Sequence, residues 1–231
     1  MKQRQIILNV LCEGQTEDRF ANTVLKEYLK GFDVVVKHTI LLTNKKKNVR
    51  GGILSYQQAK NDLDLLIKQH SKKSFENHFY TTMFDLYALP DDFPGYMEAN
   101  KINDCYEKVK KIEEKFAEDI PSRNFIPYIQ LHEFEALVFC GLEHLLIDYP
   151  NMTEQVVNLQ KIRERYDNNS EKIDDNPQSA PSKRIIKEFE KFHHYNKPKS
   201  GVLVTSKVGI EKLKNKCLHF KEWMDKLEKL S

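Results

Sequence analysis

The chain has 231 residues, of which 40% are hydrophobic and 31% charged, and its formal net charge at neutral pH is +3. That length suits one domain, or one domain with an appended subdomain, large enough to fold without a disulfide or metal staple. The composition excludes a disordered chain. No apolar run approaches the roughly 18–20 residues that span a bilayer, and residues 1–5 lead directly into a strand-like segment, so the expectation is a cytoplasmic protein with no membrane association.

In chain order, Gln5–Cys12 is β-branched and apolar, as a strand buried on both faces should be. Glu13-Gly14-Gln15-Thr16 makes a turn, with Thr16 as the expected N-cap and Glu17 and Asp18 in the first helical turn, where the dipole favours acids. Phe20, Val24, Leu25, Tyr28 and Leu29 then repeat at helical spacing. Residues 32–42 read as a second strand. The basic run Lys45-Lys46-Lys47-Asn48-Val49-Arg50 follows, either a phosphate-contacting loop or a solvated one. An amphipathic helix over 55–70 and an aromatic strand over 78–87 come next. A helix over 100–118 carries Ile102, Tyr106, Val109, Ile112 and Phe116 on one stripe, and 125–131 is a fourth strand.

Strands alternating with long helices predict an α/β fold: a mainly parallel central sheet of about four strands flanked by helices. Beyond residue 140 the character becomes helical, over 153–166, 182–194 and 208–230. The expected organisation is a single domain over 1–231, with an α/β core over 1–140 and a helical C-terminal layer over 141–231. Cys12, Cys105, Cys140 and Cys217 form no CxxC pair, and Cys217-Leu218-His219 is the nearest approach to a zinc-ligand spacing. Phe220 and Trp223 read as core.

In a parallel sheet, ligands bind beyond the carboxyl ends of the strands. Glu13 closes the first strand, Asp85 stands near the end of the third, and Glu133 and Glu135 follow the fourth. Clustered carboxylates repel and resist desolvation unless a cation neutralises them, and a hard, oxygen-preferring ion, Mg2+ or Mn2+, is the economical partner. Glu133 and Glu135 share a face only in extended chain; if a helix has begun, one of them points away. His132 reads as a hydrogen-bonding neighbour. Ser182, Lys183 and Arg184 open a helix after the polar segment Asn176-Pro177-Gln178, either an anion site or a capped surface helix. Together with Gly14 and Thr16 they are the candidate phosphate or substrate contacts.

Val10-Leu11-Cys12-Glu13-Gly14-Gln15-Thr16-Glu17 resembles the opening motif of Toprim domains. With Phe84-Asp85-Leu86-Tyr87, the HEFEAL segment from His132 to Leu137, and Ala180-Pro181-Ser182-Lys183-Arg184, the chain resembles the bacterial Toprim-like family catalogued as domain of unknown function 4276. The resemblance implies a compact parallel sheet and a divalent ion held by acids, with the family's glutamate at Glu13 and the first aspartate of its Asp-x-Asp motif at Asp85. Tyr87 stands where the second aspartate would be, leaving Glu133 or Glu135 to take its place. It further implies a metal-dependent nuclease acting on DNA or RNA, in which Glu13 is metal ligand and general base, and a partner ATPase in prokaryotic defence or mobile-element loci. Two alternatives stand beside it: a non-catalytic effector or scaffold binding that ATPase or nucleic acid, and a small-molecule phosphohydrolase or nucleotidyl transferase.

Overall fold

The computed structural model describes residues 4–44, 49–50, 52–70, 75–173, 179–191 and 194–231. Lys45-Lys46-Lys47-Asn48 of the basic run and Asn176-Pro177-Gln178 lie outside the described residues. The strands are β1 (Gln5–Cys12), β2 (Val34–Ile40), β3 (Leu42–Asn44), β4 (Val49–Arg50), β5 (Glu76–Asp85), β6 (Phe125–Ile126) and β7 (Ile129–Gln130). Every residue of β1 after Gln5 is buried, because the strand lies between β2 and β5, parallel to both, with helices over each face. The described residues form a five-stranded parallel sheet in the order β2-β1-β5-β6, with β7 also on β5, while β3 and β4 make a separate antiparallel ribbon.

The expected fourth strand is in fact two. Pro127 has no amide hydrogen to continue the ladder, and the chain steps out between β6 and β7. The Thr82 hydroxyl bridges the gap, accepting the Tyr128 amide at 3.0 Å and donating to the Tyr128 carbonyl at 2.9 Å.

Alternate residues of β1 serve two cores. Ile6, Leu8, Val10 and Cys12 pack on the face covered by Phe20, Leu25, Val204, Leu213, Phe220 and Trp223. Leu11 joins Tyr80, Phe84, Leu63, Val109, Ile112 and Phe116 on the other. The C-terminal helices thus share one apolar cluster with the sheet. Trp223 stacks on Tyr128 at 4.1 Å and donates its indole N–H to Thr81 Oγ1 at 2.9 Å.

Several boundaries differ from expectation for local reasons. Asp33 adopts a left-handed conformation (φ 54°) and delays the second strand to Val34. Asp104 caps the helix Cys105–Asp119 by accepting the amides of Tyr106 and Glu107, leaving Ile102 outside it. The expected helix over 208–230 is two, Ile210–Lys216 and Leu218–Leu227, separated by extended Cys217. Gly209, at φ 78°, divides the first of these from Val202–Val208. Among the described residues no helix is long and apolar enough to cross a membrane.

Candidate active site

The chain leaves β1 for β2 on one side and comes back to β5 on the other, so a crevice opens at the carboxyl ends of β1 and β5. There Cys12 pairs with Met83, and the Glu13 amide donates to the Met83 carbonyl at 3.1 Å. Glu13 Oε2 accepts the Asp85 amide at 2.9 Å, tying the two strand ends together. Asp85 Oδ1 is buried with no hydrogen-bond partner. Glu17, 6% exposed, folds back one turn so that its Oε2 accepts the Gly14 amide at 2.9 Å.

Past β7, His132 takes a left-handed conformation (φ 63°) and donates from Nε2 to the Glu171 carbonyl at 2.8 Å. This kink keeps Glu133 ahead of the helix Glu135–Val138, and Phe134, between the two acids, enters the core against Phe20. Both carboxylates therefore turn to the same place. Lys197 Nζ lies 3.3 Å from Glu133 Oε2 and 3.2 Å from Glu135 Oε2. The expectation that one of the pair points away is corrected by that single non-helical residue.

Glu13, Glu17, Asp85, Glu133 and Glu135 thus converge, and their proton affinities register the crowding. Burial pushes the Glu13 carboxyl up to about 7, against the Asp85 amide and Lys197, with Glu133 adding to the rise. Burial and then Glu13 push Glu17 up to about 7. Burial also pushes Glu135 up to about 7, although Lys197 pulls the other way. Asp85 stands well above the usual carboxylate range through burial, then repulsion from Glu13, Glu17, Glu133 and Glu135. Burial opposes the charge on Lys197, but Glu135, Glu133 and Asp85 more than offset it and raise its pKa. Burial, then Glu135, push the Tyr195 phenol well above its usual range, and its hydroxyl hydrogen-bonds to the Glu135 carboxylate.

The expected phosphate contacts are differently employed. Gly14, not Thr16, is the N-cap of the first helix; its amide binds Glu17, and Thr16 is buried inside the helix. Ser182 does not cap its helix, which begins at Pro181 after Ala180. Its amide donates to Glu133 Oε1 at 2.7 Å, so the anion at this helix N-terminus is the protein's own carboxylate. Lys183 is exposed. Arg184 donates to the Ser179 carbonyl at 2.6 Å and to the Tyr166 hydroxyl at 3.2 Å. Tyr87 is 38% exposed, and its amide donates to the His132 carbonyl at 2.9 Å.

Two members of the cluster escaped sequence reasoning. Glu17 passed as a dipole-favoured acid, although its spacing of four from Glu13 was a usable signal. Lys197, 64 residues from Glu133, opens the short π-helical segment Lys197–Gly201 and carries no local mark of function. Cys217 and His219 do not share a site: Cys217 Sγ lies 3.2 Å from Cys140 Sγ, and His219 Nε2 lies 3.0 Å from Glu113 Oε1.

The donor set is chemically suited to Mg2+ or Mn2+: carboxylate oxygens, one of them, Asp85 Oδ1, buried and unpartnered. As arranged, no three acid, histidine or cysteine side chains among the described residues are placed to share one ion. The cation that Glu133 and Glu135 do share is Lys197.

Fold and site together define an α/β protein with a carboxylate cluster at the switch point of a parallel sheet. The chain belongs to the family described as Domain of unknown function (DUF4276), whose profile matches residues 12–228. No curated protein matches the sequence. Among solved structures it is similar to the C-terminal region of the OLD protein of Xanthomonas campestris pv. campestris, at 12% identity and a TM-score of 0.37, over 98% of this chain and 97% of that one.

Proposed function

We propose that this chain is a Toprim-like, divalent-metal-dependent enzyme that cleaves phosphodiester bonds in nucleic acid. The observation that carries the reading is the convergence of Glu13, Asp85, Glu133 and Glu135 from three strand ends, with Asp85 Oδ1 buried and unpartnered. A folded chain does not leave such an oxygen dry without compensation elsewhere, and a cation is the natural one. Glu13, Asp85 and Glu133 are the ligands assigned to it. Bound there, Mg2+ or Mn2+ would lower the pKa of a water and neutralise charge on the attacked phosphate. The protein's own part is to position: Glu13 fixes the Asp85 backbone, and Glu17 holds the Gly14 amide in the turn beside it.

Cleavage assays on plasmid, linear DNA, tRNA and rRNA with magnesium or manganese test the reading. Activity is expected with one of these substrates and is lost in a Glu13→Ala, Asp85→Ala double variant; cleavage undiminished in that variant would sink it. A second reading, a scaffold that keeps the shape without catalysis, is favoured by Tyr87 in the expected aspartate position and by Lys197 on the glutamates. Calorimetric titration separates the two, because a scaffold has no need to bind metal at millimolar concentration.

A further inference from the structure

Glu133 and Glu135 are the most deeply buried of the carboxylates on Lys197, with side chains 5% and 1% exposed, whereas the Lys197 side chain is 37% exposed. The acids are held from behind. Glu133 Oε1 takes the Ser182 amide, and Glu135 is the first residue of its helix. The backbone that carries Lys197 is also held: Asn196 Oδ1 accepts the Lys199 amide at 3.1 Å, and Ser200 Oγ donates to Asp148 Oδ2 at 2.8 Å. What can move is the lysine side chain, a point charge on a flexible four-carbon stem that is open to solvent on one side.

Both contacts of the ammonium exceed 3.1 Å, longer than the 2.7–2.9 Å of a well-formed charge-assisted hydrogen bond. The ammonium bridges two carboxylates, and Asp85, whose Oδ1 is buried with no hydrogen-bond partner, adds its field at the same ammonium. One positive charge thus answers two carboxylates within 3.3 Å of it.

We propose that Lys197 is a displaceable resident cation: its ammonium and a divalent ion held by Glu13, Asp85 and Glu133 are alternative partners of the Glu133 carboxylate, and the ion enters by expelling Lys197 Nζ toward solvent. The inference rests on the reading that this site takes Mg2+ or Mn2+, and it explains why the acids converge yet no three of them, among the described residues, stand ready to share one ion. The lysine keeps these acids folded together without metal and sets a threshold that metal must overcome. Removing its charge therefore tightens metal binding, the reverse of what is expected for a lysine that merely supports the site.

The test is Mn2+ binding, measured by calorimetry and by the electron paramagnetic resonance of free Mn2+, on the full chain without substrate. Lys197→Met is expected to lower the Kd for Mn2+ by about ten-fold or more, the equivalent of about 1.4 kcal/mol. Lys197→Arg keeps the charge and is expected to stay within about three-fold of wild type. A wild-type measurement guards against a variant that does not fold. With lysine side chains labelled at Cε, the Lys197 resonance is expected to move to the position of exposed lysines as Mg2+ is added.

Mn2+ affinity in Lys197→Met equal to or weaker than wild type, or a Lys197 resonance unmoved by saturating Mg2+, overturns the proposal while leaving the metal site standing. No metal binding by wild type or by either variant overturns both the proposal and the reading beneath it. Binding by Lys197→Met alone supports the proposal.

Discussion

Glu17→Gln should stabilise the metal-free protein near neutral pH. Glu17 is buried, its carboxyl is pushed up to about 7 from an ordinary 4.5 by burial and then by Glu13, and the glutamine oxygen can still accept the Gly14 amide. Below pH 4.5 the carboxyl is protonated in both folded and unfolded chains and has no effect on stability. Between 4.5 and about 7 the unfolded chain releases its proton while the folded chain keeps it, so stability falls as pH rises. Above that range the loss is complete. At about 1.4 kcal/mol for each unit of pKa it amounts to about 3 kcal/mol, which the uncharged variant avoids. The same sign holds for Glu13 and Glu135, so the wild-type slope should be steeper than one group alone produces. The assay is urea denaturation in chelator from pH 4 to 8.5, followed by circular dichroism. The variant should match wild type at the acid end and exceed it by about 3 kcal/mol at the basic end. Curves for the two proteins that run parallel across the whole range would refute the reasoning.

Three further outcomes follow from the packing. Thr82→Val leaves the Tyr128 amide without its partner at the break between β6 and β7, and should cost about 1–3 kcal/mol in the same denaturation assay. Gly141→Ala would place a Cβ 2.2 Å from Val208 Cγ2, and should destabilise by about 1–3 kcal/mol, seen as a lowered Tm. Cys12, Cys140 and Cys217 are buried and Cys105 is not, so mass spectrometry after brief native alkylation should find one modified thiol, at Cys105.

The strands were legible wherever burial dictated composition. β1 is apolar throughout because it is covered on both faces, and the aromatic run of β5 marks a strand packed against two cores. Breaks inside elements were less legible, since each turns on a single residue: Pro127 dividing β6 from β7, Asp104 capping its helix, Gly209 and Cys217 dividing the last helices. At the site, the strand-end acids could be found because topology alone brings strand ends together. The Glu133 and Glu135 pairing could not, because it depends on the left-handed backbone of His132, a conformation that side-chain spacing does not report. Lys197 was hidden for a different reason. Its partners are 62 and 64 residues away, and nothing in a lysine beside a proline distinguishes an ion-paired side chain from a solvated one.

If these acids form a metal site, anomalous diffraction from crystals soaked in manganese will show a peak bounded by carboxylate oxygens of Glu13, Asp85 and Glu133, with Lys197 withdrawn from Glu133 and Glu135. Crystals soaked at millimolar manganese that show no peak among these residues, with Lys197 still on both glutamates, would contradict it.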